Sequence, residues 1–151
     1  MIDVARDAGV GTMTVSRALR EPTKVSPETR QTVMTSVMKL GYVIDATAAA
    51  LSSKRTRIVG AVVSTLDQSI FAETIRGLTN GLQASGQQLL VATTDYDKDK
   101  ESELISAMIG RKPEAIVLTS SEHSESAISL IKAANILTIE TWEIPKKPIF
   151  A

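Results

Sequence analysis

Apolar positions follow two different rhythms along the chain. Up to residue 41 they recur at helical spacing. Ile2, Val4, Ala5 and Ala8 share one helical face, and Gly9 then stops the helix, because a left-handed turn costs least for glycine. A second helix starts at Gly11 or Thr12, runs through Val15, Ala18 and Leu19, and breaks at Glu21-Pro22. Ser26-Pro27-Glu28 predicts a third start, with Ser26 as N-cap, Pro27 in the first position and Glu28 near the positive helix end. That helix is expected to turn Val33, Val37 and Leu40 inward and to end at Gly41. Three short helices bury little area, so this module is expected to be only marginally stable alone.

From residue 58 onward, short apolar runs alternate with helical stretches. Ile58-Val59-Gly60-Ala61-Val62-Val63 reads as a strand buried on both faces. Phe71 to Leu82 carries a helical period through Ile75, Leu78 and Leu82. Leu89 to Ala92 predicts a second strand, Lys100 to Ile109 a second helix, Ala115 to Leu118 a third strand, Glu125 to Ala134 a third helix and Ile136 to Ile139 a fourth strand. Gly86 and Asn135 stand where C-terminal caps belong. Such alternation predicts an α/β architecture with a parallel sheet and right-handed crossovers. Ligands of these sheets gather beyond the carboxyl ends of the strands.

Composition narrows the chemistry. With 43% hydrophobic residues in 151, a buried core is expected; with 3% aromatics, that core is aliphatic. The absence of Cys excludes a disulfide scaffold, a thiolate metal site and a Cys nucleophile, and the single His123 excludes a His-based metal cluster. No cofactor is implied. No apolar run approaches a bilayer span, so no membrane partner is expected and a cytoplasmic location is the default. The formal net charge is zero, yet residues 1–57 carry +4 and residues 58–151 carry −4. A basic module joined to an acidic one points to nucleic acid as the partner of the first half.

Ala5, Gly9, Val10 and Val15 have the spacing of a helix-turn-helix: Ala where two helices cross closely, Gly at the tight turn, Val plugging the core. An arbitrary three-helix bundle with a Gly turn also fits that spacing. The longer string Asp3-Val4-Ala5-x-x-Ala8-Gly9-Val10-x-x-x-Thr14-Val15-Ser16-Arg17-Ala18-Leu19, followed by Val25-Ser26-Pro27-Glu28-Thr29-Arg30 and Leu40-Gly41-Tyr42, closely resembles the LacI/GalR family of bacterial transcription regulators. The resemblance implies a second helix in the major groove, with Thr12, Met13 and Arg17 as base-edge readers and Ser16, Arg20 and Lys24 as phosphate or secondary contacts. The chemistry suits that assignment. Arg17 can pair with a guanine edge by two hydrogen bonds, and Met13 can pack on a thymine methyl.

In the same family a hinge helix follows and pushes a Leu between central base pairs. Leu51 holds that place here, after Ala48, Ala49 and Ala50, a run of high helix propensity. Ile44-Asp45-Ala46 replaces the family's usual Pro-Asn-Arg, so weaker DNA anchoring is expected; Asp45 can still cap the hinge helix. Lys54, Arg55 and Arg57 read as a basic, flexible linker. The expected organisation is thus a helix-turn-helix domain at 1–44, hinge helix and linker at 45–57, and at 58–151 a partial periplasmic-binding-protein-like sheet with flanking helices.

The strand ends are rich in hydroxyls, amides and aromatics: Ser64 to Phe71, Thr93 to Tyr96, Thr119 to His123 and Glu140 to Glu143. Hydroxyls beside an aromatic platform suit a polar sugar or sugar acid. By resemblance to the branch that represses gluconate-type operons, Ser69, Phe71, Tyr96, Ser121, Glu140 and Trp142 are the candidate effector contacts. Ser121, Glu122 and His123 spell a triad in sequence, but triad members converge from separate loops, and no nucleophile elbow or P-loop string is present. No enzymatic activity is expected. The resemblance implies a homodimer on inverted-repeat operator DNA, with a dimer contact through the helix at Ala72–Leu82. Members of that family are longer, so the chain reads as a truncated regulator. Half a cleft is expected to hold effector poorly, and the fourth strand to be left as an unprotected edge. A sugar-binding module and an inactive fragment of a regulator remain the alternatives.

Overall fold

Local capping signals set the first unit, Met1–Ala49, built from α1 (Ile2–Asp7), α2 (Thr12–Arg20) and α3 (Pro27–Leu40). In the computed structural model, every residue is described except 44, 46–49, 51, 52, 54, 121, 147 and 151. Gly9 adopts φ 64°, which lets the chain reverse after α1, and the Val10 amide then donates to the Ala5 carbonyl at 3.0 Å. Ser26 caps α3, its hydroxyl accepting from the Thr29 amide at 3.2 Å. Gly41, at φ 59°, closes α3 with the Tyr42 amide donating to the Val37 carbonyl. A 3-10 turn at Pro22–Lys24 joins α2 to α3; the sequence marked only the break there.

Val4, Ala5, Val15, Ala18 and Val33 make the core of this unit, ringed by Met1, Ala8, Val10, Leu19, Val25, Val37 and Tyr42. Two expected core positions face outward: Ile2 is 66% exposed and Leu40 44%. Ile2 opens α1, ahead of the turn that meets the other helices. Leu40 ends a helix of 14 residues that outruns partners of 6 and 9. Ser36 takes the inward place on α3, and the Asp7 carboxylate of α1 receives Lys39 Nζ at 2.6 Å.

The second unit, Ala50–Ala151, alternates β1 (Ile58–Val63), α4 (Ser69–Ala84), β2 (Gln88–Thr93), α5 (Lys98–Ile109), β3 (Ala115–Leu118), α6 (Glu125–Ala134) and β4 (Leu137–Glu140). All strands are parallel in the order β2-β1-β3-β4, with Val59 opposite Leu89 and Ala115, and Ala115 opposite Leu137. The strand order reverses between β1 and β3, the point where such sheets open a crevice at their carboxyl ends.

The pleat divides the core in two. Val59, Ala61, Ala115 and Val117 face α4 through Ile75, Leu78 and Leu82. Val62, Ile116 and Leu118 face Ile105 and Met108 of α5 and Ala127 and Ile131 of α6, together with Ile149. Gly60 is where α5 comes closest: a Cβ there would lie 2.8 Å from Met108 sulfur. At the edge, β4 leaves Leu137 and Ile139 66% and 50% exposed. Asn135, at φ 50°, caps α6, as its place in the sequence suggested.

Residues 55–57 are a correction to the flexible linker expected there. Arg55 pairs with Glu114, the Thr56 hydroxyl donates to the Lys112 carbonyl at 2.7 Å, and the Gln88 amide donates to the Arg57 carbonyl at 2.8 Å. The segment docks because Gln88 at the start of β2 and Lys112 and Glu114 just ahead of β3 present amide, carbonyl and carboxylate groups that its backbone and side chains complement. Ala48, Ala49 and Leu51, which carry the hinge-helix reading, and Lys54 of the linker lie outside the described residues. Among the described residues, no helix is long and apolar enough to cross a membrane.

Candidate DNA-reading face and effector rim

Burial of Val15 and Ala18 fixes the rotation of α2 and leaves one side of it outward. On that side stand Thr12, Met13, Arg17 and Arg20, all exposed, with Ser16 half-buried beside them. Met13 is 65% exposed, a long apolar side chain held in solvent. Gly11 caps α2 without a side chain, and no acidic residue occupies its first turn. Its leading amides and positive helix end are therefore open to an anion. Arg17 and Arg20 make no ion pair among the described residues. Lys24 differs, being paired with Glu21, whose carboxyl Lys24 holds below the usual carboxylate range.

At the carboxyl ends of the strands, Phe71 in the first turns of α4 stacks on Trp142 after β4, with ring centroids 4.3 Å apart and planes 15° off parallel. Phe71 is buried, whereas Trp142 keeps 41% of its surface. The Tyr96 ring is 62% exposed, and its hydroxyl accepts from Gln68 Nε2 at 3.1 Å. Ser69 opens α4 and is exposed. Ser121 lies outside the described residues. Two rim cations are already paired, Lys98 with Glu122 at 3.0 Å and Lys100 with Asp95 at 3.5 Å.

Glu140 turns inward. Its Oε2 accepts from the Ile149 amide at 3.0 Å, and its Oε1 lies 3.7 Å from His123 Nε2. On the other side of the imidazole, Nδ1 meets Glu101 Oε1 at 2.6 Å, while Glu101 Oε2 accepts from the Ser124 amide at 3.2 Å. The His123 side chain is only 2% exposed. Burial disfavours its charge, but the hydrogen bond and charge of Glu101, with the charge of Glu140 behind, outweigh that and raise its pKa above the ordinary imidazole value. His123 Nε2 and Glu140 Oε1 have no hydrogen-bond partner among the described residues. His123 thus sits between two carboxylates from α5 and β4, and Ser121, the hydroxyl of the sequence-adjacent triad, lies outside the described residues.

Sequence reading missed Glu101 and Gln68. Glu101 had a signal, since it lies on the inward stripe of α5 with Ile105 and Met108, where a carboxylate needs a buried partner. Gln68 had none, being one polar loop residue among several. Among the described residues no group of His, Asp and Glu is arranged to hold a metal ion.

Comparison with known proteins agrees with both halves of this description. Residues 1–45 match the model for bacterial regulatory proteins of the lacI family, and residues 56–145 match that for periplasmic binding proteins and the sugar binding domain of the LacI family. The chain is 35% identical over 134 residues to the HTH-type transcriptional regulator GntR of Pseudomonas aeruginosa, an alignment covering 89% of this chain and 39% of that one. Against the regulator of the same name from Escherichia coli K12 it is 32% identical over 141 residues, covering 93% and 43%. A crystal structure of a LacI-family transcriptional regulator from Silicibacter pomeroyi superposes with a TM-score of 0.87 at 34% identity, over 98% of this chain and 44% of that one. The chain therefore spans about two-fifths of the length of the curated relatives it matches. With 90 of its residues, 56–145, inside one LacI-family model and the helix-turn-helix inside the other, the chain belongs to the LacI family of bacterial regulatory proteins.

Proposed function

We propose that the chain is a sequence-specific DNA-binding transcriptional regulator, acting as a repressor of a sugar or sugar-acid catabolic operon. Residues 1–44 serve as the DNA-binding domain, 45–57 as hinge and linker, and 58–151 as the N-terminal subdomain of an effector-binding domain. The observation that carries the reading is the outward face of α2. Thr12, Met13 and Arg17 stand together in solvent beside a helix start with no side-chain cap and no acid. Arg17 supplies a two-pronged donor for a guanine edge and Met13 an apolar contact for a thymine methyl. Ser16 and Arg20 contact phosphates; Lys24 does so after exchanging Glu21 for a phosphate. Leu51 acts as the wedge at the centre of the site. Binding is by a homodimer, because two such helices on one inverted repeat double the base contacts.

The effector is a sugar or sugar acid of the gluconate kind, resting on the exposed Trp142 ring where Phe71 braces it. Tyr96 after β2 and Ser69 at the start of α4 add hydroxyls, and Ser121 follows β3 in the sequence. Glu140 supports the rim through Ile149 and His123.

Selection from a random duplex library tests the central reading. The chain is expected to enrich an inverted repeat, with half-sites separated as two successive major grooves require. Recovery of sequences no different from the starting pool at low salt overturns it.

A further inference from the structure

Four donors from three residues in two segments converge on one carboxylate at the amino-terminal end of the sheet. Arg55 gives Glu114 two hydrogen bonds, Nε to Oε1 at 3.2 Å and Nη2 to Oε2 at 2.7 Å. The Arg57 backbone amide donates to Oε1 at 2.9 Å, and Gln87 Nε2 to Oε2 at 3.3 Å. The Glu114 amide in turn donates to the Ile58 carbonyl at 2.7 Å, so the residue is locked into the sheet it receives the linker on. Ser53 shapes the approach, its hydroxyl accepting from the Arg55 amide at 3.3 Å. Arg57 is held at φ 57°, a left-handed backbone that a non-glycine residue keeps only when its surroundings impose it.

A two-pronged Arg–carboxylate pair is directional, unlike a lone Lys contact. It leaves the Arg55 side chain 62% exposed, so its guanidinium is within reach of solvent and of any competing anion. An Arg on the linker of a DNA-binding protein is ordinarily a phosphate ligand. Here its hydrogen-bonding face is taken by Glu114.

We propose that Glu114 is a positioning residue that docks the basic linker on the sheet and withholds Arg55 from DNA phosphates, thereby setting how many cations binding recruits. The phosphate half of this rests on the DNA-binding reading above; the docking half does not. Glu114→Gln keeps the shape and one acceptor but removes the charge that holds Arg55.

Two measurements on the full chain test it. Without DNA, trypsin scission after Arg55 is expected to speed up about tenfold in Glu114→Gln, for a loss of roughly 1.4 kcal/mol of docking. With a random-sequence duplex as the probe, the slope of log affinity against log salt is expected to steepen by about 0.9 in Glu114→Gln, the value of one added phosphate contact. Arg55→Gln alone leaves the slope unchanged, and Arg55→Gln placed on Glu114→Gln returns it to that of the parent chain. A purely structural role moves scission but not this pattern of slopes. Unchanged scission overturns the docking. Faster scission with an unchanged slope, or Arg55→Gln flattening the slope by itself, overturns the withholding of Arg55. A parent chain that binds no duplex at low salt overturns the DNA-binding reading and the phosphate half together, while scission still judges the docking.

Discussion

The two units place their functional side chains in opposite ways. In the helical unit the candidate contacts point outward from α2, and the inward side of the same helix is fixed by Val15 and Ala18. The α/β unit ties its candidates to other groups of the same unit: Phe71 to Trp142, Tyr96 to Gln68, Glu140 to His123 and Ile149. An outward face can be altered without touching the core behind it. Changing one member of a self-paired rim alters its partner as well. Function in the first unit is therefore separable from stability, and in the second it is not.

Core substitutions break this comparison with the largest effect. Among the described residues the helical unit rests on five buried apolar side chains, so Val15→Ala, costing about 2 kcal/mol, removes a large fraction of the stability such a small unit can have. Ile131→Ala costs about 3 kcal/mol but is spread over the larger cluster shared by β1, β3, α5 and α6. In two-dimensional NMR spectra, Val15→Ala is expected to collapse the dispersion of residues 1–43 and abolish DNA binding. Ile131→Ala lowers the melting temperature of the second unit but keeps its dispersion. Retained dispersion of the first unit in Val15→Ala contradicts the contrast drawn here.

A smaller effect comes from His123. Its pKa is raised in the folded chain, so the stabilisation is fully present below the ordinary imidazole pKa and is lost as pH rises through the higher folded value. Thermal melts of the second unit are expected to fall in midpoint across that window, and His123→Gln to flatten the fall. The single imidazole gives one Cε1–Hε1 signal, which reports the titration directly. A midpoint that rises over the same window contradicts the assignment of Glu101 and Glu140 as partners of the charged ring.

What the sequence disclosed follows the same division. The limits of α3 were legible because Ser26, Pro27 and Gly41 act on their own neighbours. The strand at Ile58–Val63 was legible because six apolar residues in a row have few other places to go. Leu40 and Ile2 misled because periodicity gives the phase of a stripe and not how far its partners extend. The linker misled for a related reason: basic residues among small polar ones carry no local mark of the carboxylate that receives Arg55 and Arg57, since Glu114 lies four elements later, beyond α5. Phe71 and Trp142 were both singled out, yet their stacking depends on how β4 ends beside α4 in the folded sheet. Glu101 was overlooked although its place on the apolar stripe of α5 was in plain view.

The central claim is that the exposed edge of α2 reads base pairs. Fluorescence anisotropy with the selected inverted repeat and a scrambled duplex of equal length, at one fixed salt concentration, tests it most directly. Arg17→Ala is expected to reduce the ratio of the two affinities about 10- to 100-fold, corresponding to roughly 1–3 kcal/mol for a lost two-pronged contact, while the circular dichroism spectrum stays that of the parent chain. An Arg17→Ala chain with the parent's ratio contradicts the claim.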